Sequence, residues 1–351
     1  MKKKILIVAG GTGGHIYPAL NIASKLITQG WEVRWLGSAN RMEEYIIPAR
    51  GIKIYLMNFA KFRKINFFSK IWIIVTLCKI ILQSLKIYQH YKPNIVLTMG
   101  SYITGPSGIA AWLYRIPLII HEQNSIAGYT NKILSYFAIK TLIAYPNTFQ
   151  KAILVGNPIN HNIIQLSIYK RSVIKIHTPI RLLITGGSQG SEIINNIGIK
   201  IAHILKNKVS ILHQVGHNHI ITVLNQYKQN TFNNVMVKAH IKNMYKAYKW
   251  ADIIICRSGA MTVSEIIAIG LPAIFIPYPH KDRQQYYNAV QLQKIGIATI
   301  FEQNNIDIKQ IVHIILSLNK QKILKTLKQT YQLFIFNSLN LICNEINNVL
   351  Y

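Results

Sequence analysis

The sequence predicts an α/β protein of two doubly wound domains, and three observations carry that prediction. The apolar run Ile5-Leu6-Ile7-Val8 ends in a glycine loop, Gly10-Gly11-Thr12-Gly13-Gly14-His15. About half the chain later, Ile180-Arg181-Leu182-Leu183-Ile184-Thr185 runs into a second one, Gly186-Gly187-Ser188-Gln189-Gly190. Around both loops, short strand-like runs alternate with stretches of helical spacing, the pattern of parallel sheets with crossover helices. A short, uninterrupted apolar run reads as a parallel strand buried on both faces. The 351 residues suffice for two such domains, each with its own core.

The first unit reads as strand, loop and helix. Leu20, Ala23, Leu26 and Ile27 give helical spacing over 18–29, closed by Gly30. Pro18 suits a first helical turn, where its missing N–H costs nothing. Free N–H groups and the positive helix end make the loop a site for phosphate or pyrophosphate. Tight packing without a ligand is the other reading of the same glycines. Ile16 stands where the dinucleotide fingerprint needs its third glycine, and no Gly-Lys-Ser/Thr follows, so the loop is neither that fingerprint nor a P-loop.

Further strands are expected at 32–37, 52–56, 94–98 and 117–120. The third of these ends in Met99-Gly100-Ser101-Tyr102, after which Gly105-Pro106-Ser107-Gly108 opens a helix, and the fourth ends in His121-Glu122-Gln123-Asn124. Polar residues at the carboxyl ends of successive strands mark where α/β sheets bind ligands. The stretch 151–155 with Gly156-Asn157-Pro158 reads as the crossing between halves. In the second half, strands are expected at 210–214, 235–237, 253–256 and 272–276, with a helix opening at Glu192. A last helical stretch, near 334–350, lacks a strand partner and can pack on either domain.

Between 59 and 91 lies a stretch of different character. Phe67, Phe68, Ile71, Trp72, Ile74 and Val75 are interspersed with Lys61, Arg63, Lys64, Lys70, Lys79, Lys86 and, just beyond, Lys92, with no acid. It reads as a helix or two, apolar on more than one side and ringed by positive charge. A core helix with a basic edge and an interfacial helix on anionic lipid fit this pattern equally.

The net charge of +29, from 40 basic and 11 acidic residues, points to an anionic partner: nucleic acid, acidic lipid or a phosphorylated substrate. Compositional drift toward Lys, Ile and Asn accounts for part of it. The lysines lack the aromatic-interleaved clustering of a nucleic-acid module. Cys78, Cys256 and Cys343 are scattered, without metal-ligand spacing, and imply a reducing compartment. The apolar run after Lys2-Lys3-Lys4 is too short for a signal peptide, and no run approaches the roughly 20 apolar residues of a membrane span. A cytosolic protein, or one lying on a membrane without crossing it, is expected.

No Asp-x-Asp occurs among the few acids, which argues against a diphosphate held through a metal, and no Gly-x-Ser-x-Gly elbow is present. The remaining candidate base is His15. At a helix N-terminus a neutral imidazole is favoured, as a general base requires; a histidine that merely caps the loop is the alternative. Cys256-Arg257-Ser258-Gly259-Ala260-Met261-Thr262-Val263-Ser264-Glu265 reads as a small-residue loop opening a helix. There Glu265 either accepts a ribose diol or completes a capping box with Thr262. In Pro277-Tyr278-Pro279-His280-Lys281-Asp282-Arg283-Gln284-Gln285, the adjacent amides of Gln284 and Gln285 can read sugar hydroxyls.

With these residues in view, the chain resembles the MurG family of peptidoglycan glycosyltransferases over nearly its full length. The resemblance rests on six motifs in order: Gly-Gly-Thr-Gly-Gly-His at 10–15, His-Glu-Gln-Asn at 121–124, Gly-Asn-Pro at 156–158, Gly-Gly-Ser-Gln-Gly at 186–190, Cys-Arg-Ser-Gly-Ala at 256–260 and His-Lys-Asp-Arg-Gln-Gln at 280–285. It implies a GT-B architecture of two Rossmann-like domains facing a central cleft. Residues 1–158, joined by a helix at about 335–351, would face the acceptor and membrane, and 159–334 would bind the UDP-sugar. It further implies inverting transfer of N-acetylglucosamine from UDP-N-acetylglucosamine to the 4-hydroxyl of undecaprenyl-diphosphate-linked muramyl pentapeptide, on the cytoplasmic face of the inner membrane. No cofactor, metal or nucleic acid is implied. A related enzyme acting on another lipid, such as diacylglycerol, is the alternative.

By resemblance, His15 is catalytic and lies near the acceptor hydroxyl. Thr12, Gly13, Gly14, Asn124, Ser188, Ile241, Ala260, Met261, Thr262, Glu265, Gln284 and Gln285 would hold the donor: Ser188 its diphosphate, Ile241 its uracil through the backbone, Glu265 its ribose. Gly11, Gly14, Tyr102 and Glu122 would line the acceptor side. Phe67, Phe68, Ile71, Trp72, Val75 and Lys79 would dock on an anionic membrane surface. Three positions depart from the family pattern: Ser101 stands for a glycine, Asn160 for an arginine, and 61–65 lacks the glycines of the basic loop.

Overall fold

The computed structural model describes residues 2–58, 67–172, 176–229, 232 and 234–350, with side chains for all of these except 67–72 and 167–172. They form two compact units, Met1–Ile159 with Asn337–Tyr351, and Asn160–Phe336.

In the first unit, seven parallel strands make one sheet: β1 (Lys4–Val8), β2 (Glu32–Ser38), β3 (Lys53–Met57), β4 (Ile95–Thr98), β5 (Leu118–Glu122), β6 (Lys140–Ile143) and β7 (Ile153–Leu154). Their spatial order is β3-β2-β1-β4-β5-β6-β7. The apolar run of β1 is buried on both faces because side chains alternate across a strand. Ile5 and Ile7 join Trp35, Ile95 and Leu97 in one core, beneath the helix Gly13–Thr28. Leu6 and Val8 join Leu36, Val96 and Ile120 in another, beneath the helices Phe67–Tyr91 and Thr104–Leu113. Each large side chain so buried contributes about 1.5–3 kcal/mol.

The end of the chain packs on this unit. The helix Ser338–Asn347 places Ile342, Cys343 and Ile346 in the first core. Trp31 Nε1 donates to Asn347 at 3.2 Å, and Lys140 pairs with Glu345 at 2.7 Å. The helical stretch near 334–350 therefore begins later than expected, after a break from the helix Lys320–Leu333.

The second unit repeats the plan with β8 (Ile180–Thr185), β9 (Val209–Gln214), β10 (Val235–Lys238), β11 (Ile253–Cys256), β12 (Ala273–Phe275) and β13 (Ala298–Ile300), in the order β10-β9-β8-β11-β12-β13. Leu182, Ile184, Ile253 and Ile255 pack against the helix Glu192–Leu205. In both sheets the order reverses beside the strand that leads into a glycine loop, β1 or β8. That switch point, at the carboxyl ends of the strands, is where such sheets accept ligands.

Three expectations are corrected. The first helix starts at Gly13, not Pro18, because Thr12 is extended and its carbonyl accepts the N–H groups of His15 and Ile16 at 3.1 and 3.2 Å. Pro18 thus lies inside the helix. The stretch read as a crossing contains β7, a two-residue edge strand too short to show a period. β6 and β13 were not anticipated.

Candidate active site

In the first unit, the loops after β1, β4 and β5 converge on His15. It is the third residue of the helix Gly13–Thr28. First-turn N–H groups such as those of Gly13 and Gly14 have no acceptor one turn back in the helix, which leaves them for a ligand or solvent. Gly11 differs: its N–H donates to Glu43 Oε1 at 3.1 Å, as does that of Ser38. Glu43 is fully buried beneath the loop, so Gly11 serves to fasten it. Thr12, Gly14 and Tyr102 are exposed.

The His15 ring lies against Gly100, where an added Cβ would come within 3.0 Å of Cε1. Its Nδ1 is 3.0 Å from Gln123 Oε1. Gln123 Nε2 is 2.9 Å from His121 Nδ1, and His121 Nε2 is 3.0 Å from the Gly156 carbonyl. Burial lowers the His121 pKa to about 4, which leaves it neutral. Sequence reasoning placed His121 and Gln123 in the polar motif 121–124 but gave neither a role.

Glu122, expected on the acceptor side, is 2% exposed and turned inward. Its carboxylate accepts the N–H and side-chain amide of Asn124, both at 3.0 Å, the N–H of Gly128 at 3.0 Å and the Asn131 amide at 2.8 Å. It shapes the loop carrying Asn124 and leaves little for a ligand.

In the second unit, the loop 186–190 leaves Ser188 exposed. It is pressed against Val215 and Gly216: a Cβ on Gly190, whose φ is +79°, would lie 2.0 Å from the Val215 carbonyl oxygen. Gln214, at the end of β9, ties this loop to another. Its Nε2 donates to the Gly187 carbonyl at 2.8 Å and to Thr185 Oγ1 at 3.0 Å, while its Oε1 accepts the Ile241 N–H at 2.7 Å. The backbone N–H of Ile241 is therefore engaged.

The helix Ala260–Ile269 has Gly259 at its N-cap with no side-chain cap, so the N–H groups of Ala260, Met261 and Thr262 have no partner one turn back. Thr262 is the third helical residue, which rules out the capping box. Glu265 Oε2 accepts the Tyr248 hydroxyl at 2.7 Å; among the described residues nothing bonds to Oε1. Burial pushes the carboxyl up to about 7. Arg257 turns away, donating to the carbonyls of Ile276 and Pro277, to Ser191 Oγ and to Gln303, and so braces the loop bases. Gln284 and Gln285 begin the helix Gln284–Lys294, and Gln285 Oε1 accepts the Tyr278 N–H at 2.9 Å.

At the Gly-Asn-Pro motif, Asn160 Oδ1 accepts the Asn162 N–H at 2.9 Å and opens the helix His161–Ser172. Ile74, Val75 and Leu82 on the helix Phe67–Tyr91 are 61%, 53% and 61% exposed, whereas Ile80, Tyr88 and Tyr91 are buried. The helix therefore has both a core face and an exposed apolar face, and Lys79 is exposed. The side chains of Phe67, Phe68, Ile71 and Trp72, and the loop 61–65, lie outside the described residues. No described helix is long and apolar enough to cross a membrane.

The glycosyltransferase family 28 N-terminal domain matches residues 5–143, and the family 28 C-terminal domain matches 181–337. The chain is 44% identical over 347 residues to a UDP-N-acetylglucosamine–N-acetylmuramyl-(pentapeptide) pyrophosphoryl-undecaprenol N-acetylglucosamine transferase of Buchnera aphidicola subsp. Schizaphis graminum, covering 99% of this chain and 98% of the relative. A transferase of the same name from Yersinia enterocolitica is 44% identical over 302 residues, 86% of this chain and 85% of the relative. Among solved structures, MurG of Acinetobacter baumannii superposes with a TM-score of 0.83 at 30% identity, covering 99% of this chain and 100% of that one. A UDP-GlcNAc 2-epimerase of Neisseria meningitidis, at 16% identity and a TM-score of 0.70 over 98% of this chain and 100% of that one, shares the fold.

Proposed function

The chain belongs to glycosyltransferase family 28 and, within it, to the MurG family, and on that premise we infer that it moves N-acetylglucosamine from UDP-N-acetylglucosamine to undecaprenyl-diphosphate-linked N-acetylmuramyl pentapeptide. The observation that carries this reading is the near-full-length identity to transferases of that name. These relatives do not favour the diacylglycerol alternative.

The reaction is a displacement at the sugar's anomeric carbon. His15 Nε2 takes the proton of the acceptor 4-hydroxyl as its oxygen bonds to that carbon. The bond to the UDP oxygen breaks on the opposite side, so configuration inverts and the electron pair leaves with the diphosphate. Two features support the assignment of His15: its place on a phosphate-type helix start, and the commitment of the neighbouring carboxylates, Glu122 to its own loop and Glu43 to the Gly11 N–H. For the leaving diphosphate, the free first turn at Ala260, Met261 and Thr262 and the exposed Ser188 loop offer donors, worth most where charge develops. Glu265 Oε1 suits a ribose hydroxyl. The Ile241 carbonyl suits the uracil N3–H, since the Ile241 N–H is held by Gln214. Thr12, Gly13, Gly14 and Asn124 would meet the donor sugar, and Gln284 and Gln285 its hydroxyls; Tyr102 and Gly14 would meet the acceptor.

The acceptor is a lipid, so the enzyme works at a membrane surface, at the cytoplasmic leaflet where the nucleotide sugar is available. The exposed Ile74, Val75 and Leu82, with Lys79 and Lys86 exposed beside them, support docking on anionic lipid. Transfer of labelled N-acetylglucosamine to a short-chain muramyl-pentapeptide lipid, with none to diacylglycerol, is the expected outcome. The reverse preference would overturn the reading.

A further inference from the structure

We propose that Gln123 is a positioning residue that decides which nitrogen of His15 carries the proton, relaying that choice from the Gly156 carbonyl through His121. The proposal rests on the reading of His15 as the general base and adds what prepares it.

The relay begins at an atom with no freedom. A main-chain carbonyl only accepts, so His121 Nε2, 3.0 Å from the Gly156 oxygen, must carry a hydrogen. His121 is completely buried and neutral, and therefore has a single ring hydrogen. Its Nδ1 is left as an acceptor and needs a donor at 2.9 Å, which is the Gln123 amide nitrogen. That nitrogen also lies 3.0 Å from the His121 carbonyl oxygen, a second pure acceptor that fixes the same amide orientation. Flipping the amide would set oxygen against both acceptors inside the core, where Gln123 is 1% exposed.

Gln123 Oε1 therefore faces His15, and it too only accepts. Neutral His15 must present Nδ1–H to it across 3.0 Å, leaving the Nε2 lone pair bare. A base needs that form, and the other tautomer would place a hydrogen where the acceptor's proton has to arrive. The relay is held in place from its sides. Asn157 donates to the Gln123 carbonyl at 3.0 Å, and Gly100 gives the imidazole a backbone surface that any Cβ would occupy. Alternation along the end of β5 divides the labour: His121 and Gln123 serve His15, while Glu122 and Asn124 build the loop.

The test is nitrogen-15 NMR of the full chain labelled at histidine, with the His15 signals identified by their loss in His15→Gln. Expected at high pH is protonated Nδ1 and bare Nε2. A signal from the Nε2–H form, or from a rapid mixture, would overturn the proposal whatever the kinetics. Gln123→Met should convert the signal to a mixture and lower kcat by about 10- to 100-fold, the order seen for partners that orient a histidine, with both KM values little changed. Gln123→Glu keeps an oxygen acceptor toward His15 and should preserve the Nδ1–H tautomer at high pH. It also sets a second oxygen where His121 Nδ1 and the His121 carbonyl need a donor, so stability should fall and kcat should be only partly kept. An unchanged tautomer in Gln123→Met would also overturn it. Normal turnover in His15→Ala would instead remove the base reading, which the wild-type spectrum does not address.

Discussion

Tyr248 donates its hydroxyl hydrogen to Oε2 of Glu265 at 2.7 Å, and burial pushes the Glu265 carboxyl up to about 7 while, among the described residues, nothing bonds to its other oxygen. A ribose diol needs the ionised carboxylate as acceptor. UDP should therefore bind more weakly below pH 7 and tighten as pH rises through about 7, with proton release on binding. Stability without ligand runs the opposite way. The folded pKa lies above the ordinary 4.5, so the contribution is fully present below about 4.5 and lost as pH rises to about 7. Calorimetry of UDP binding from pH 5.5 to 8 checks this. Glu265→Gln should flatten the profile and cost about 1.5–3 kcal/mol at pH 8.

Gln214 couples the glycine loop 186–190 to the Ile241 loop through three hydrogen bonds at 3% exposure. Gln214→Leu keeps the volume and strands the Ile241 N–H, while Thr185 Oγ1 keeps the N–H of Gly187 and the Gly187 carbonyl keeps that of Gly190. The stranded N–H costs about 1–3 kcal/mol when it stays dry, and the two loops lose their tie. Lower unfolding stability and at least tenfold weaker UDP binding are expected. Unchanged affinity would show that the two loops hold their shape independently.

The base role of His15 and the loop-building role of Glu122 can be separated by a pair of variants. His15→Ala should lower kcat by roughly 10² to 10⁴-fold with little change in thermal stability. Glu122→Gln should do the reverse. Its amide nitrogen would face donors on Asn124, or on Gly128 and Asn131, and the loop should loosen by about 1–3 kcal/mol. Melting curves and initial rates on both proteins distinguish the roles.

Ser101 stands where the family pattern has glycine, and it adopts φ +111°, a region that L side chains rarely occupy. Its hydroxyl is buried without a hydrogen-bond partner among the described residues. Ser101→Gly should therefore stabilise the first unit by about 1 kcal/mol. Ser101→Ala, which keeps the Cβ, should not relieve the backbone. Equal melting temperatures for Ser101→Gly and the native protein would show that the loop absorbs the conformation at no cost.

The glycine loops and the alternation of strands and helices were legible because both come from local chemistry. Apolar runs signal two-faced burial, and glycines mark backbone that must turn or approach closely. β7 and β13 escaped because two or three residues carry no period. Pro18 misplaced a helix start that Thr12 sets through its extended backbone. The site residues that sequence reasoning singled out carry recognisable groups on loops, whereas Gln123, Gln214, Tyr248 and Arg257 act through partners 17 to 108 positions away in sequence. No local pattern encodes such pairings. Glu122, placed on the acceptor side by resemblance, shows the same limit: only the fold shows the four donors around its carboxylate.

The proposed docking on a membrane turns on the exposed face of the helix Phe67–Tyr91. Ile74 and Val75 project apolar surface that the core behind them does not use, since Ile80, Tyr88 and Tyr91 fill that role. Each such side chain gains about 1.5–3 kcal/mol on entering an apolar phase. Lys79 and Lys86, both exposed, each add about 1 kcal/mol on anionic lipid. That sum suits reversible attachment that salt weakens. Co-sedimentation with vesicles should therefore require anionic lipid and fall as ionic strength rises. Ile74→Glu with Val75→Glu should abolish it while leaving the melting temperature and UDP binding intact, because both positions are more than half exposed. Turnover of a short-chain soluble acceptor should survive, and turnover of a vesicle-borne one should fall. Retained vesicle binding in the double variant would move the docking surface elsewhere on the unit.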